Sequence, residues 1–117
     1  MQVQFSFQHG SRTPQLDKII DSNVRKLTVL LGRYSPDLVH LHGLVEFGAA
    51  NHKPVCSLDL WLPTSRLHAR QQRPDLATAV RVSFNQLREQ IKKHKELLRR
   101  EAEWKRKRSR TRQEMIA

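Results

Sequence analysis

One cysteine, Cys56, occurs in 117 residues, so the chain can form no internal disulfide and lacks the several thiolates a structural zinc finger needs. Four glycines leave little material for a Gly-rich phosphate cradle. Acids are scarce too: 11 Asp and Glu stand against 22 Lys and Arg, for a formal charge of +11 and a pI near 10.9. That excess concentrates the protein near polyanions, nucleic acid or anionic lipid, before any specific contact forms, and makes an acidic protein a poorer partner. No apolar run approaches the ~20 residues that span a bilayer. The start, "MQVQFSFQHG", alternates polar and apolar instead of placing a basic end before an apolar core, so no secretory signal is expected. With its unpaired thiol suited to a reducing compartment, the protein is expected to be cytoplasmic. Its length allows one domain with one modest core.

Val3, Phe5 and Phe7 alternate with Gln2, Gln4, Ser6 and Gln8, the period of a strand with one wet face. Thr13 then supplies a helix cap and Pro14 the first helical position, where its missing N–H is no loss. Leu16, Ile20, Val24, Leu27 and Leu31 draw a stripe down that helix, which Gly32 can end. From Asp37 the period returns to two: Val39, Leu41, Val45 and Phe47 share a face, with His40, His42 and Glu46 opposite. Residues 48 to 54 read as a turn. Cys56, Leu58, Leu60 and Leu62 form the next apolar face, against Ser57 and Asp59, and Leu67 and Ala69 the last, against Arg66, His68 and Arg70. After Pro74 and Asp75 a stripe of Leu76, Val80, Phe84, Leu87, Ile91, His94 and Leu98 predicts a long helix. Continued to about Trp104 it spans about 43 Å, so its far end leaves the core and frays.

The order β-α-β-β-β-α, with every strand apolar on one face, predicts an α+β two-layer sandwich: a four-stranded sheet carrying two helices on one face. The last three strands form an antiparallel meander, and the first pairs wherever its helix returns it. Residues 1–104 are expected to form the single domain and 105–117 a basic, flexible C-terminal tail.

The positive charge is local. Residues 92 to 112 hold eleven Lys and Arg against three Glu, net +8, which leaves +3 for the other 96 residues. Arg81, Arg88, Lys92, Lys95 and Arg99 make a cationic row about 100° round the second helix from its apolar stripe, with Lys93 and Arg100 beside it. Arg25 and Lys26 lie in the last turns of the first helix, and Arg33 just beyond. A merely solubilising face alternates in sign, as Glu89 with Lys93 and Glu96 with Arg100 would. Those two pairs leave most cations without partners, and like charges four apart destabilise a helix, so the row implies a polyanion that neutralises it. The tail "WKRKRSRTR" would grip any phosphate backbone without choosing sequence, and Trp104 is placed either to stack on a base or to cover the helix end. Membrane insertion is set aside, since the apolar face of the helix is claimed by the sheet.

His40, His42 and His68 share the wet side of the sheet, but no carboxylate or thiol at ligand spacing completes a metal site, and Cys56 is expected to point the other way. They read as exposed imidazoles that gain protons near RNA. No nucleophile elbow, Gly-rich phosphate loop or H-E-x-x-H is present. His94, on the apolar stripe, reads as a helix-boundary core residue. Neither an enzyme nor a cofactor is expected.

"DLATAVRVSFNQLREQIKKHKELLRR" resembles the second helix of the ribosome hibernation-promoting factor and ribosome-associated translation inhibitor family, the sigma-54 modulation protein family. Asp75, Ala79, Leu87, Gln90, Lys93, His94 and Lys95 match positions of its pattern, and "TPQLDKIIDSNVRKL" is similar to its first helix. The resemblance covers about residues 1 to 100. Ala77, where the family often has Tyr, the segment Arg70 to Arg73, and the Arg-rich end after residue 100 depart from it. The resemblance implies a fold similar to double-stranded RNA-binding domains, and a short form without the additional C-terminal domain of longer members. It also implies a partner, the small ribosomal subunit and its rRNA: the protein would lodge in the decoding region and hold idle ribosomes inactive under stress. The expected RNA-binding residues are Arg25, Lys26, Arg33, Arg81, Arg88, Lys92, Lys93, Lys95, Arg99 and Arg100, on a protein that is a monomer off the ribosome. The alternative is a general binder of structured RNA or DNA that acts through the basic tail.

Overall fold

A computed structural model describes residues 1–48 and 53–116, with side chains as far as Arg106 where the last helix is concerned. The elements are β1 (Gln2–Gln8), α1 (Pro14–Leu30), a 3-10 turn (Pro36–Leu38), β2 (His40–Glu46), β3 (Val55–Trp61), β4 (Arg66–Gln72) and α2 (Leu76–Ile116). The α+β order expected from periodicity is the order found. The sheet runs β1-β2-β3-β4, with β1 parallel to β2 and the other two pairs antiparallel. A parallel neighbour requires a crossover connection, and α1 is that crossover. Part of the turn assigned to residues 48–54 lies outside the described residues.

Local chemistry fixes both helix starts. Thr13 accepts a hydrogen bond from the Leu16 amide at 3.2 Å, with Pro14 behind it in the first turn. Asp75 serves α2 in the same way, accepting from the Thr78 amide at 3.2 Å and the Thr78 hydroxyl at 3.1 Å. The α2 backbone stays helical past Trp104 to Ile116, about 60 Å at the usual rise.

Leu16, Ile20 and Leu27 of α1 and Val80, Phe84, Leu87 and Ile91 of α2 meet Leu41, Val45, Leu58, Leu60 and Ala69 of the sheet in one buried cluster. Both helices therefore cover one face, and the other is open. Chain direction alternates through these elements so that α1 and α2 run parallel, side by side, with their C-terminal ends toward the same end of the strands. The edge strand β1 is less well covered: Phe5 and Phe7 are half-buried and Val3 is exposed. Phe5 stacks on Phe84 with centroids 6.3 Å apart, and its ring lies across Gly43, its register partner on β2. A Cβ at Gly43 would stand 2.2 Å from that ring. This close approach explains a glycine inside a central strand.

Cys56 is buried under α2, where the Ser83 hydroxyl hydrogen-bonds it, and burial pushes its thiol up to about 11 despite that bond. Gly43→Val should cost about 1–3 kcal/mol through forced movement of Phe5, read as a lower urea midpoint. The thiol should resist aromatic disulfide reagents between pH 7 and 9 while the fold holds. The unfolded thiol ionises near 9 and the folded one near 11, so the unfolded state binds fewer protons in between. Stability should fall as pH rises through that window, and less so in Cys56→Ala.

Candidate nucleic-acid interface

Because the helices lie parallel on the sheet, their facing flanks enclose a groove of about 430 Å³. Lys18 and Lys26 line it from α1 and Arg81 and Arg88 from α2, with Ser22 and Asn85 among the polar residues between them. No carboxylate lines it. Four cations around one concave strip, with hydroxyl and amide groups at its floor, is the chemistry of a phosphate-tracking surface. Arg88 is steadied by donating to Asn85 Oδ1. Asn23, buried at the foot of the groove, donates to the Ile19 carbonyl at 2.8 Å.

The ten expected RNA-binding residues divide among several surfaces. Lys26, Arg81 and Arg88 meet in the groove. Lys92 and Arg99 continue the same α2 row as exposed side chains. Lys95 belongs to that row too, but it is half-buried and its Nζ donates to the Leu30 carbonyl, in the last turn of α1. There it satisfies one of the carbonyls a helix end leaves without a partner, and its charge opposes the negative end of the α1 dipole. Arg25 and Arg33 are exposed but do not line the groove: Arg25 is turned about 100° from Lys26, and Arg33 lies past the helix end. Lys93 and Arg100 lie on another side of α2, around a separate hollow with Glu96 and Leu97.

Of the two charge pairs expected along α2, Glu96–Arg100 forms at 2.9 Å, and Glu89–Lys93 does not. Rotamer freedom on an exposed helix outweighs the small gain from such a pair. Among the described residues, Arg100 is therefore the one member of the ten held by a carboxylate. Lys18 was missed. Its spacing with Ser22 and Lys26, four residues at each step, marks one helix face, but which element lies against that face is decided by the fold.

His94 is half-buried at the junction of three elements. Its Nε2 is 2.8 Å from the Thr64 hydroxyl, which is 3.0 Å from the Tyr34 hydroxyl, so α2, the β3–β4 turn and the segment after α1 are tied together. Gln90 fastens α2 to the β4 edge by donating to the His68 carbonyl at 2.7 Å.

On the open face, the register places Asp59 between His42 and His68, supplying a carboxylate where the sequence showed none at ligand spacing. His68 Nδ1 is 2.8 Å from Asp59 Oδ1, and Arg66 approaches the same oxygen at 3.8 Å. Among the described residues no group of three or more His, Cys, Asp and Glu is arranged to hold a metal ion, and no helix is long and apolar enough to cross a membrane.

These placements separate cations that hold the fold from cations that are free. Lys95→Gln should lower the unfolding free energy by roughly 0.5–1.5 kcal/mol, through the lost bond to α1. Lys92→Gln should change it by less than about 0.5 kcal/mol. Paired urea titrations measure both, and equal effects would remove the structural role given to Lys95.

The structure resembles a ribosomal subunit interface protein from Coxiella burnetii, with a TM-score of 0.62 and 21% identity over 81% of this chain and 98% of that one. It resembles likewise the N-terminal domain of Thermus thermophilus Protein Y, with a TM-score of 0.65 and 16% identity over 80% and 99%. At such identities the likeness is one of fold. No curated protein matches the sequence. The family model described as sigma 54 modulation protein / S30EA ribosomal protein matches residues 3–99, which takes in the sheet, α1 and the part of α2 that packs on them, and the chain belongs to that family.

Proposed function

We propose that this protein binds the small ribosomal subunit through its rRNA, lodges in the decoding region, and keeps idle ribosomes inactive under stress. The observation that carries the reading is the carboxylate-free groove between α1 and α2, where Lys18, Lys26, Arg81 and Arg88 converge from two helices. Cations set on two packed helices fit a folded phosphate surface better than the same charges on an unstructured segment do, because the backbones that carry them are already ordered before binding. Membership of a family described as ribosomal supports the partner. Lys92 and Arg99 extend the contact along α2, and Arg25, Arg33, Lys93 and Arg100 add peripheral charge. In this reading residues 1–104 form the binding unit, which acts in the cytoplasm as a monomer off the ribosome, by occlusion and not by catalysis.

Each phosphate neutralised releases counterions, so log affinity should fall linearly with log salt, by about 0.7 to 0.9 per contact. Four groove contacts then give a slope of about −3. Lys26→Glu with Arg88→Glu should lower binding to small subunits at least tenfold in co-sedimentation and flatten that slope, with the circular dichroism spectrum unchanged. Undiminished binding would show that the groove is not the contact.

The second reading is a general binder of structured RNA or DNA acting through the C-terminal end, and the net charge of +8 between residues 92 and 112 favours it. Truncation after Arg100 separates the two. Binding centred on the groove keeps most of its affinity for small subunits, whereas binding centred on the tail loses it.

A further inference from the structure

The second face of the sheet is covered by neither helix, and it carries planar side chains where solubility alone asks only for small polar ones. In register across all four strands run Gln2, His40, Trp61 and Arg66. Beside that row run Gln4, His42, Asp59 and His68. Trp61 is 36% exposed, although its neighbours along β3 on that face, Ser57 and Asp59, show that small polar residues are accommodated there. The Arg66 guanidinium lies over the indole, 4.6 Å from its centroid, with the Arg66 side chain itself 63% exposed. Between Trp61 and the β1 edge lies an open hollow of about 510 Å³, lined by Gln2, Gln4, His40 and His42 among others.

From this arrangement we propose that the open face is a second nucleic-acid site, one that takes unpaired RNA by stacking a base on the Trp61–Arg66 pair. Unpaired bases stack on indole rings and on guanidinium planes alike, and every base has a face to offer. The Gln2 and Gln4 amides carry both donors and acceptors for base edges. Charge favours a polyanion here as well. Asp59, the acid in these two rows, is held by His68 at 2.8 Å and faces Arg66 at 3.8 Å, so its charge is locally offset. Arg70, exposed on the same face of β4, remains to attract a phosphate. The site is separate from the interhelical groove, which lies on the covered side, and does not depend on the ribosomal reading. A paired duplex, whose bases are stacked on each other, would use the groove and not this face.

The test uses the full chain with Trp104→Phe, so that Trp61 is the sole tryptophan. An unpaired eight-nucleotide RNA should quench its fluorescence, and a blunt hairpin of equal charge should not. In anisotropy titrations Trp61→Ala should bind the unpaired RNA at least fivefold more weakly, the lower end of what one base–aromatic stack contributes, while hairpin affinity changes less than twofold. Arg66→Gln, which keeps the ring, should lose affinity in the same direction. Lys26→Glu with Arg88→Glu should leave quenching at saturating oligonucleotide intact, which separates this site from failure of the groove. Absence of quenching, or wild-type affinity in a folded Trp61→Ala, overturns the proposal. A photo-crosslinker at position 61 that labels the unpaired oligonucleotide and spares the hairpin supports it, and one that labels both alike overturns it.

Discussion

A sheet with one apolar face has one place for its helices. Leu41, Val45, Leu58, Leu60 and Ala69 point to the same side, and burying them is worth about 1.5–3 kcal/mol for each large side chain, far more than any surface charge pair. The two helices are thereby forced side by side. Their cationic flanks are then pressed together whether or not that is electrostatically favourable. The groove is thus a cost borne by the core.

The α2 cations show how little the sign of a side chain says about its task. Lys92 and Lys95 are three residues apart in one row, yet Lys92 is exposed and Lys95 closes the end of α1. The difference comes from where α1 stops, since Leu30 presents its carbonyl opposite Lys95 and α1 does not extend farther along α2. His94 is held at the same junction through Thr64 and Tyr34. The Lys93-His94-Lys95 stretch, on which the family resemblance leans, is therefore in good part a fastening between α2, α1 and the β3–β4 turn. From Arg99 to Arg106 every side chain is exposed, so the row continues past the last residue that α2 gives to the buried cluster, Ile91.

One-sided burial also shapes the opposite face. With the helices on the far side, Trp61 and Arg66 stay at the surface, and the acid beside them is hydrogen-bonded to His68 and faces Arg66. The fold thus sets two chemically different surfaces back to back: a concave cationic groove suited to phosphates, and a flatter sheet face bearing stacked planar groups.

The element order, the Thr13 cap of α1, the inward residues of each strand and the cationic row of α2 were legible in the sequence, because each depends on local backbone conformation and its period. The pairing of β1 with β2 was not, since a crossover helix can return a strand to more than one edge. Nor was the groove. Lys18 and Lys26 are 55 or more positions away from Arg81 and Arg88, and only the packing of both helices on one sheet makes them neighbours. The sequence alone determined the charge and the faces on which it is displayed. Tertiary structure decided which cations converge, which one is consumed in closing a helix end, and that Asp59 falls between two histidines, because these are distances between elements that local periodicity does not encode.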